Sequence, residues 1–452
     1  MHRVLRMRTE PERRQSPNTG ATPDQDQAME TRMTTSVLRT RAEKAAVSRE
    51  GCRLDVLVQL HTPPLAPVAE ERRPVAIALV IDRSGSMAGR KLEAACSAAQ
   101  QLVRQLTPAD RVAVISFDQS IRTVVPLMAP ATTVIEQIGR IRSGGQTALF
   151  DGWRAGMEAL QTESGLEGHQ KRVLLLTDGQ ANVGLRHSAD VAPWVGQACE
   201  QAISTSCIGL GEDYQERLLN AMAEAGDGNL VHLTNPGQLE AVFTAELEGL
   251  NLSLGRELRL RLSAGEGCRL RRIHNPLAPD GHGWIRLGML QAGATPTLAV
   301  QVDVAASDRN AELSNLLQVE AKWLDANGVP QGLEAVLRLP LVSEEHWQAL
   351  PIDEEVQREV LLQAAARQRR TAMHGIDSGD IETTRGAVQA ALLSLADAKN
   401  SPDVAQEREL LGELLDLITT NKLSLARKVM GTQAFNRARG RKLRDQEGRS
   451  DG

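Results

Sequence analysis

The stretch Val75-Ala76-Ile77-Ala78-Leu79-Val80-Ile81 runs directly into the loop Asp82-Arg83-Ser84-Gly85-Ser86-Met87. Seven consecutive apolar residues predict a parallel strand buried on both faces, because a strand with one solvated face would alternate with polar residues. Apolar residues then recur with helical spacing from about Lys91 to Leu106, where Thr107-Pro108 ends the pattern. A buried strand, a short polar loop and a helix in this order are typical of a doubly wound α/β domain.

The alternation of strands and helices continues as far as residue 250. Further strands are predicted at 111–117, 123–127, 173–177, 204–210 and 229–233, with helical patterns between most of them and a last helix at 236–249. Short connections between alternating strands and helices favour one doubly wound sheet whose strands are mainly parallel. We therefore assign residues 73–250 to an α/β domain of Rossmann-like architecture.

Beyond residue 251 the helical pattern stops, and short strand-like runs follow as far as residue 342. Turn formers such as Asn327-Gly328 between these runs are typical of an antiparallel β-sandwich. The alternating run 54–60, within a first segment at 49–72, precedes the α/β domain and has no predicted partner in it. We therefore expect this strand to join the sandwich at 251–342, which makes the α/β domain an insertion in the sandwich.

Three amphipathic helices at 353–369, 380–396 and 403–419 predict a helical segment over residues 343–420. Residues 1–48 lack periodicity, and we predict a disordered N-terminal tail. Residues 421–452 are rich in Arg and Lys and interrupted by Gly, which predicts a basic, largely disordered C-terminal tail that begins as frayed helix. The net charge of −5 conceals this division, because both ends are basic and residues 51–420 carry −14. Solvated disorder and weak contact with an anionic partner would both account for such tails.

The composition argues against several classes of protein. The sequence has no run of about 18 apolar residues for a transmembrane helix, and its ten aromatic residues are too scattered for a base-stacking platform. Five cysteines without a Cys-x-x-Cys pair indicate neither a disulfide framework nor a zinc site. No apolar segment follows the basic start, so we expect no secretory signal and a cytoplasmic location.

Polar side chains cluster at the ends of predicted strands. Asp82 follows the first buried strand, with Ser84 and Ser86 in the same loop, and Asp178 follows the strand at 173–177. Thr147 lies in a Gly-rich loop before another helix. Ligands of doubly wound sheets bind outside the carboxyl ends of the strands, near the topological switch point. We therefore expect these five side chains to share one edge of the sheet.

Two carboxylates and three hydroxyls, with no nitrogen or sulfur among them, favour Mg²⁺, or else Mn²⁺, over zinc or copper. Two carboxylates only just balance a divalent ion, so such an ion could still accept an external carboxylate. The Asp-x-Ser-Gly-Ser loop alone could also be a turn with a helix N-cap. The metal interpretation depends on Thr147 and Asp178 occurring at the expected boundaries.

These motifs resemble the von Willebrand factor type A domain with its metal-ion-dependent adhesion site, over about residues 75–250. The resemblance implies Mg²⁺ held by Ser84, Ser86 and Thr147, with Asp82 and Asp178 acting directly or through water. It also implies a sixth position that accepts a Glu or Asp of a partner. The layout of sandwich and helices resembles the bacterial and inter-alpha-trypsin-inhibitor-like branch. The matching residues are Asp82 to Met87, Gly145-Gln146-Thr147, Leu175 to Gly179, and Ile208 to Gly211.

The predicted function is a Mg²⁺-dependent, non-enzymatic protein-interaction module. Its partner would offer a Glu or Asp carboxylate, and an AAA+ ATPase is a candidate because bacterial relatives often work beside one. A metal-dependent hydrolase is an alternative, although the sequence places no general base nearby. A nucleic-acid-associated scaffold is another, through the basic tail that includes Arg427, Lys428 and Arg437. We expect a protein partner. We expect no membrane partner, and the sequence favours a protein partner over nucleic acid.

Several further residues have simpler interpretations. Asp151, four residues after Thr147, is expected either to cap a helix or to orient the metal's ligands. Trp153 and Trp194 fall on predicted helices and His232 on a predicted strand, so we expect them to be packing residues. Cys96 and Cys207 fall at predicted core positions and are expected to behave as small apolar residues.

Overall fold

The computed structural model describes residues 35–64, 72–162, 164–211, 213–306, 313–396, 398–399, 401–423, 425–427 and 429–430. The chain first forms three strands, β1 (Val37–Ala42), β2 (Val47–Ser48) and β3 (Cys52–His61). An α/β domain, further strands and a set of helices then follow in that order.

The α/β domain contains a six-stranded sheet with helices on both faces. The strands lie in the order β6-β5-β4-β7-β8-β9, and all neighbours are parallel except β5 and β6. The predicted α/β class with a mainly parallel sheet is confirmed. Its elements are β4 (Val75–Asp82), α1 (Arg90–Gln105), β5 (Arg111–Phe117), β6 (Ile121–Met128), α2 (Thr132–Ile138), α3 (Leu149–Gln161), β7 (Gln170–Thr177), α4 (Ser188–Glu200), β8 (Ile203–Leu210), α5 (Glu216–Ala225), β9 (Asp227–Leu233) and α6 (Leu239–Asn251).

Strand β4 is apolar from Val75 to Ile81 because it is covered on both faces. Its large side chains, including Ile77 and Leu79, pack into one layer with α1 and α6. Its smaller side chains face the other layer, where α3 approaches closely. A Cβ at Gly156 of α3 would lie 2.5 Å from Val80 Cγ2, so only glycine allows the helix to approach the strand this closely.

The sandwich contains a four-stranded sheet, β1-β3-β13-β11, and a five-stranded sheet, β12-β10-β14-β15-β2. All pairs are antiparallel except the short β15–β2 pair. Strand β3, which contains the predicted run 54–60, lies between β1 and β13 and buries Leu54, Val56 and Val58 in the sandwich core. The remaining strands are β10 (Ser253–Ala264), β11 (Cys268–Ile273), β12 (Trp284–Gln291), β13 (Thr297–Val304), β14 (Leu313–Asp325) and β15 (Pro330–Val342).

The two connections between the sandwich and the α/β domain meet at one turn. Thr62, after β3, donates its hydroxyl to the carbonyl of Gln291 at 2.6 Å. The next residue, Pro63, accepts a hydrogen bond from the Gly293 amide, and Leu252, between α6 and β10, accepts one from the amide of residue 292. The α/β domain is therefore inserted through two neighbouring chain segments.

A buried ion pair lies at the end of the α/β domain that is connected to the sandwich. Arg172 of β7 donates to Glu246 of α6 at 2.8 Å, and both side chains are almost fully buried. Ser206 and Asn229 donate to the same carboxylate at 2.7 Å each. Arg172 also lies 3.6 Å from the sulfur of Met289 in the sandwich. The pair thus fixes α6 to the sheet beside the sandwich.

The helical segment consists of α7 (Glu344–Ala349), α8 (Glu354–Ser378), α9 (Ile381–Ala396) and α10 (Pro402–Thr419). Helix α8 is capped by Asp353 and α10 by Ser401, with Asp403 in its first turn. Arg427, after α10, forms ion pairs with Asp377 of α8 and with Glu216 of α5. None of the helices formed by the described residues is both long and apolar enough to cross a membrane.

The predicted tails need two corrections. Residues 37–48, predicted to be disordered, form β1 and β2, because the Arg-rich segment Val37–Ala42 pairs residue for residue with β3 and Val47 is fully buried. At the other end, Ala426 and Met430 are buried in the helical core. Residues 1–34 and 431–452 lie outside the described residues.

Candidate metal centre

The two predicted acidic residues lie side by side at the carboxyl end of the sheet. Strands β4 and β7 are parallel neighbours, with Ile81 paired with Leu176. Asp82 therefore ends one strand beside the point where Asp178 follows the other, and both carboxylates are fully buried. The chain connects outward in opposite directions from this pair of strands, so the site lies at the topological switch point of the sheet.

Asp82 is held from both sides by hydrogen bonds. Its Oδ1 accepts from the Ser84 amide at 2.8 Å, and its Oδ2 accepts from the Thr177 hydroxyl at 2.5 Å. Burial raises the pKa of this carboxyl to about 6, more than these hydrogen bonds lower it, and nearby Asp178 raises it further. The ionised form of Asp82 is therefore costly to keep unless a cation compensates it.

Asp178 joins the loop after β4 to helix α1. Its Oδ1 accepts from the Ser86 hydroxyl at 2.6 Å, and its Oδ2 accepts from the Lys91 ammonium at 2.5 Å. The hydroxyl oxygens of Ser84 and Ser86 are 3.2 Å apart. Ser84, Ser86, Asp178 and Lys91 are thus linked in that order by successive polar contacts.

Thr147 is brought to the same edge by its loop. The Gly144 amide donates to the Arg83 carbonyl at 2.8 Å, and the Gly85 amide donates to the Gly145 carbonyl at 3.1 Å. A Cβ built at Gly179 would lie 3.4 Å from Ser86 Oγ and 3.5 Å from Thr147 Oγ1, which shows how close the three residues are. The structure therefore places all five predicted residues around one point of the rim.

A second layer of contacts fixes the Thr147 loop. Arg83 forms an ion pair with Asp118 at 2.8 Å, and both side chains are largely buried. Gly145 has a φ of +74° and its Cα faces that carboxylate, so a side chain there would be strained and would collide with Asp118. The Thr147 amide donates to Asn182 Oδ1 at 2.8 Å. The loop position is thus set by backbone and side-chain bonds together.

Lys91 and Asn182 are parts of this site that the sequence analysis missed. Lys91 lies in the first turn of α1, and its side chain is 32% exposed. Asn182 follows Asp178 by four residues and receives the Thr147 amide. A lysine at the start of the helix that follows the Asp-x-Ser-Gly-Ser loop was a usable sequence signal, but the direction of its side chain depends on the packing of α1.

The three residues expected to serve in packing differ in how deeply they are buried. Trp153 is fully buried and donates to the Thr205 hydroxyl at 3.0 Å, as expected of a packing residue. Trp194 packs edge-on against Phe150 but stays 50% exposed, so the expectation of a packing residue is only half right. His232 is buried, 3.0 Å from the hydroxyl of a tyrosine.

Two further expectations can be compared with the structure. Asp151 faces the loop near Gly184, whose Cβ position is 3.2 Å from its Oδ2, and pairs with Arg154 at 3.4 Å. It makes no capping bond to α3, whose N-cap is Ala148. Cys207 is fully buried as expected, whereas Cys96 is only partly buried.

The donor set fits a hard divalent cation. The converging groups are three hydroxyls and two carboxylates, which are the oxygen ligands that Mg²⁺ and Mn²⁺ take. No group of three or more His, Cys, Asp or Glu side chains arranged for a metal occurs among the described residues. A metal at this rim would therefore depend on the hydroxyls of Ser84, Ser86 and Thr147. The lysine beside Asp178 shows that the site already attracts positive charge.

Comparison with known proteins identifies the domain. Residues 76–245 match the model of the von Willebrand factor type A domain. This chain contains a von Willebrand factor type A domain. Members of this family are generally protein-interaction and adhesion modules, and the family expected from the sequence motifs is confirmed for this part of the chain.

Two curated relatives match over different lengths. The uncharacterized protein sll0103 of Synechocystis is 26% identical over 337 residues, which cover 71% of this chain and 79% of that protein. The inter-alpha-trypsin inhibitor heavy chain H4 of Bos taurus is 31% identical over 174 residues, or 36% of this chain and 19% of that protein. The second match thus spans a minor part of the longer protein.

A solved structure extends the similarity beyond the α/β domain. The von Willebrand factor type A protein from Catenulispora acidiphila aligns with a TM-score of 0.65 at 18% identity, covering 88% of this chain and 96% of that one. At this identity the likeness concerns the fold alone. Because the alignment covers far more than residues 76–245, the shared fold includes structure outside the inserted domain.

Proposed function

We propose that this protein is a divalent-metal-dependent interaction module that binds an acidic side chain of a protein partner at the rim formed by Asp82, Ser84, Ser86, Thr147 and Asp178. Mg²⁺ is the proposed ion, with Mn²⁺ as a substitute. The observation that carries the proposal is the convergence of these five oxygen-bearing side chains at the switch point of the sheet.

The charge of the ligand set supports an external carboxylate. Two carboxylates neutralise a divalent ion, and the three hydroxyls add no charge, so a further carboxylate can approach without net repulsion. When bound, the ion would supply a coordination position for that carboxylate. The chain's own residues do the remaining work, since Thr177 and the Ser84 amide orient Asp82 while Ser86 orients Asp178.

Two alternative functions receive less support. A hydrolase needs a general base, and the two carboxylates at the rim are already engaged by Thr177, Ser86 and Lys91. A nucleic-acid scaffold would use the basic tail, but Arg427 is paired with Glu216 and another acidic residue. Lys428 and residues from 431 onward lie outside the described residues.

The partner and the compartment belong to the same proposal. An AAA+ ATPase with an exposed Glu or Asp is the partner class we propose, from the resemblance to the bacterial branch. A cytoplasmic setting is proposed from the cysteine pattern of the sequence, which contains five cysteines and no Cys-x-x-Cys pair.

The experiment is affinity purification of the full chain from cell extract, followed by identification of the bound proteins. Partners should be retained in Mg²⁺, released by chelator, and absent with Asp82→Ala or Thr147→Ala. The matched control is Asp416→Ala, which removes an exposed carboxylate of α10 that is not part of the proposed site and should leave capture unchanged. Equal capture by all variants, with and without chelator, would contradict the proposal.

A further inference from the structure

The Lys91 ammonium contacts a carboxylate that the proposed metal would also use. It lies 2.5 Å from Oδ2 of Asp178, on the opposite side of that carboxylate from Ser86. Asp178 is fully buried, whereas the lysine side chain is 32% exposed. Of the cationic side chains with described contacts, Lys91 is the one paired directly with a carboxylate of the proposed metal site.

Helix geometry makes this position unfavourable for a lysine on its own. Lys91 is the second residue of α1, and the amino end of a helix carries partial positive charge that disfavours a nearby cation. Gly89, which precedes the helix, provides no side-chain cap. The contact with Asp178 compensates for this placement, so the ion pair and not helix stability accounts for the lysine.

We propose that Lys91 is a built-in counter-cation that competes with the divalent ion for Asp178. In the metal-free protein its ammonium balances the buried carboxylate and keeps the rim assembled. A divalent ion must displace or repel this charge, so Lys91 lowers the metal affinity and sets the cation concentration at which the site loads. This inference rests on the proposed metal site and adds its regulation.

The flexible side chain permits such an exchange. The ammonium is attached to α1 by four methylene groups, and the position of a Cβ at Gly211 lies 3.6 Å from Lys91 Nζ, so the ammonium lies beside a glycine with no side chain of its own. A tethered ammonium has a high local concentration but only one positive charge, so a divalent ion at sufficient concentration replaces it. The exchange requires a side-chain movement and no shift of the sheet.

The test compares metal affinity between two single-charge deletions on the same helix turn. Full-length wild type, Lys91→Met and Arg90→Met are stripped with chelator, and Mn²⁺ binding is measured by calorimetry or electron paramagnetic resonance. Arg90 is exposed and adjacent, so its loss controls for long-range charge. We expect Lys91→Met to bind Mn²⁺ at least tenfold more tightly and Arg90→Met less than twofold more tightly. Thermal melting without metal should show Lys91→Met alone to be destabilised.

Other outcomes separate this inference from the metal site itself. Lys91→Arg keeps the charge and should remain close to wild type. If Lys91→Met binds Mn²⁺ no more tightly than Arg90→Met, Lys91 does not act as a counter-cation, although the proposed metal site is still supported. Failure of every variant to bind Mn²⁺ would overturn both. If Lys91→Met unfolds without metal, Lys91→Gln replaces it, and the same tenfold difference from Arg90→Met decides the result.

Discussion

Replacing Asp82 with asparagine should stabilise the metal-free protein while it abolishes metal binding. The carboxyl of Asp82 is fully buried, and burial raises its pKa from 3.8 to about 6. A carboxyl whose pKa is higher in the folded than in the unfolded chain destabilises the fold once it ionises. The penalty is absent below the unfolded pKa, develops between about pH 4 and 6, and is complete at neutral pH.

The size of the effect follows from the pKa difference. A shift of about two units corresponds to about 3 kcal/mol at pH 8. Asparagine keeps an oxygen to accept from the Ser84 amide, but its NH₂ group meets Thr177 Oγ1, which already accepts from the Gly179 amide. Disturbing that bond costs about 1 kcal/mol. Asp82→Asn should therefore be more stable than wild type by about 2 kcal/mol.

The assay is urea denaturation in chelator at several pH values, repeated in saturating Mg²⁺ at pH 8. In chelator the advantage of Asp82→Asn should be about 2 kcal/mol at pH 8 and should disappear near pH 4. In Mg²⁺ at a hundred times its dissociation constant, only wild type gains, by about 2.7 kcal/mol, which removes the advantage. A variant that is less stable than wild type at pH 8 in chelator would refute the reasoning.

Three further predictions concern contacts away from the rim. Arg172→Met leaves the buried Glu246 carboxylate without its guanidinium and should cost about 3–5 kcal/mol in urea denaturation, so a loss below 1 kcal/mol would contradict the buried pair. Trp153→Phe removes the indole donor to the Thr205 hydroxyl and should cost about 1–3 kcal/mol by the same assay, whereas an unchanged midpoint would show that the bond contributes nothing. Arg427→Ala should speed proteolysis of the segment after α10 by about tenfold without changing global stability, and equal rates would show that its ion pairs do not hold that segment.

The α/β domain, and the edge of the sheet where the residues of the proposed metal site lie, could be predicted from the sequence for one physical reason. Parallel strands that are buried on both faces have uninterrupted apolar sequences, such as residues 75–81. The polar residues that follow such strands lie at the same edge of the sheet, where the strands have their carboxyl ends. Asp82 and Asp178 could therefore be placed at one edge of the sheet, whereas their adjacency follows from the pairing of β4 with β7. The position of Thr147 could not be derived from the strand pattern, because its loop is positioned by backbone hydrogen bonds to Arg83 and Gly85.

Other features depend on contacts between distant parts of the chain. Strand β1 looked disordered because it is rich in arginine, yet it forms an edge strand whose pairing with β3 is visible only in the fold. Lys91 meets Asp178 across 87 positions of sequence, and its direction is set by the packing of α1. Arg427 looked like part of a solvated tail because its two acidic partners lie in different helices.

The paired connections of the inserted domain determine how a mechanical load would travel through the protein. The proposed metal site lies at the carboxyl ends of β4 and β7, whereas both connections leave from the opposite end and meet beside Gln291. One connection continues from β3 in the four-stranded sheet and the other into β10 in the five-stranded sheet. Tension applied by a bound partner would therefore be divided between the two sheets, and it would act on strands held along their length by ladder hydrogen bonds.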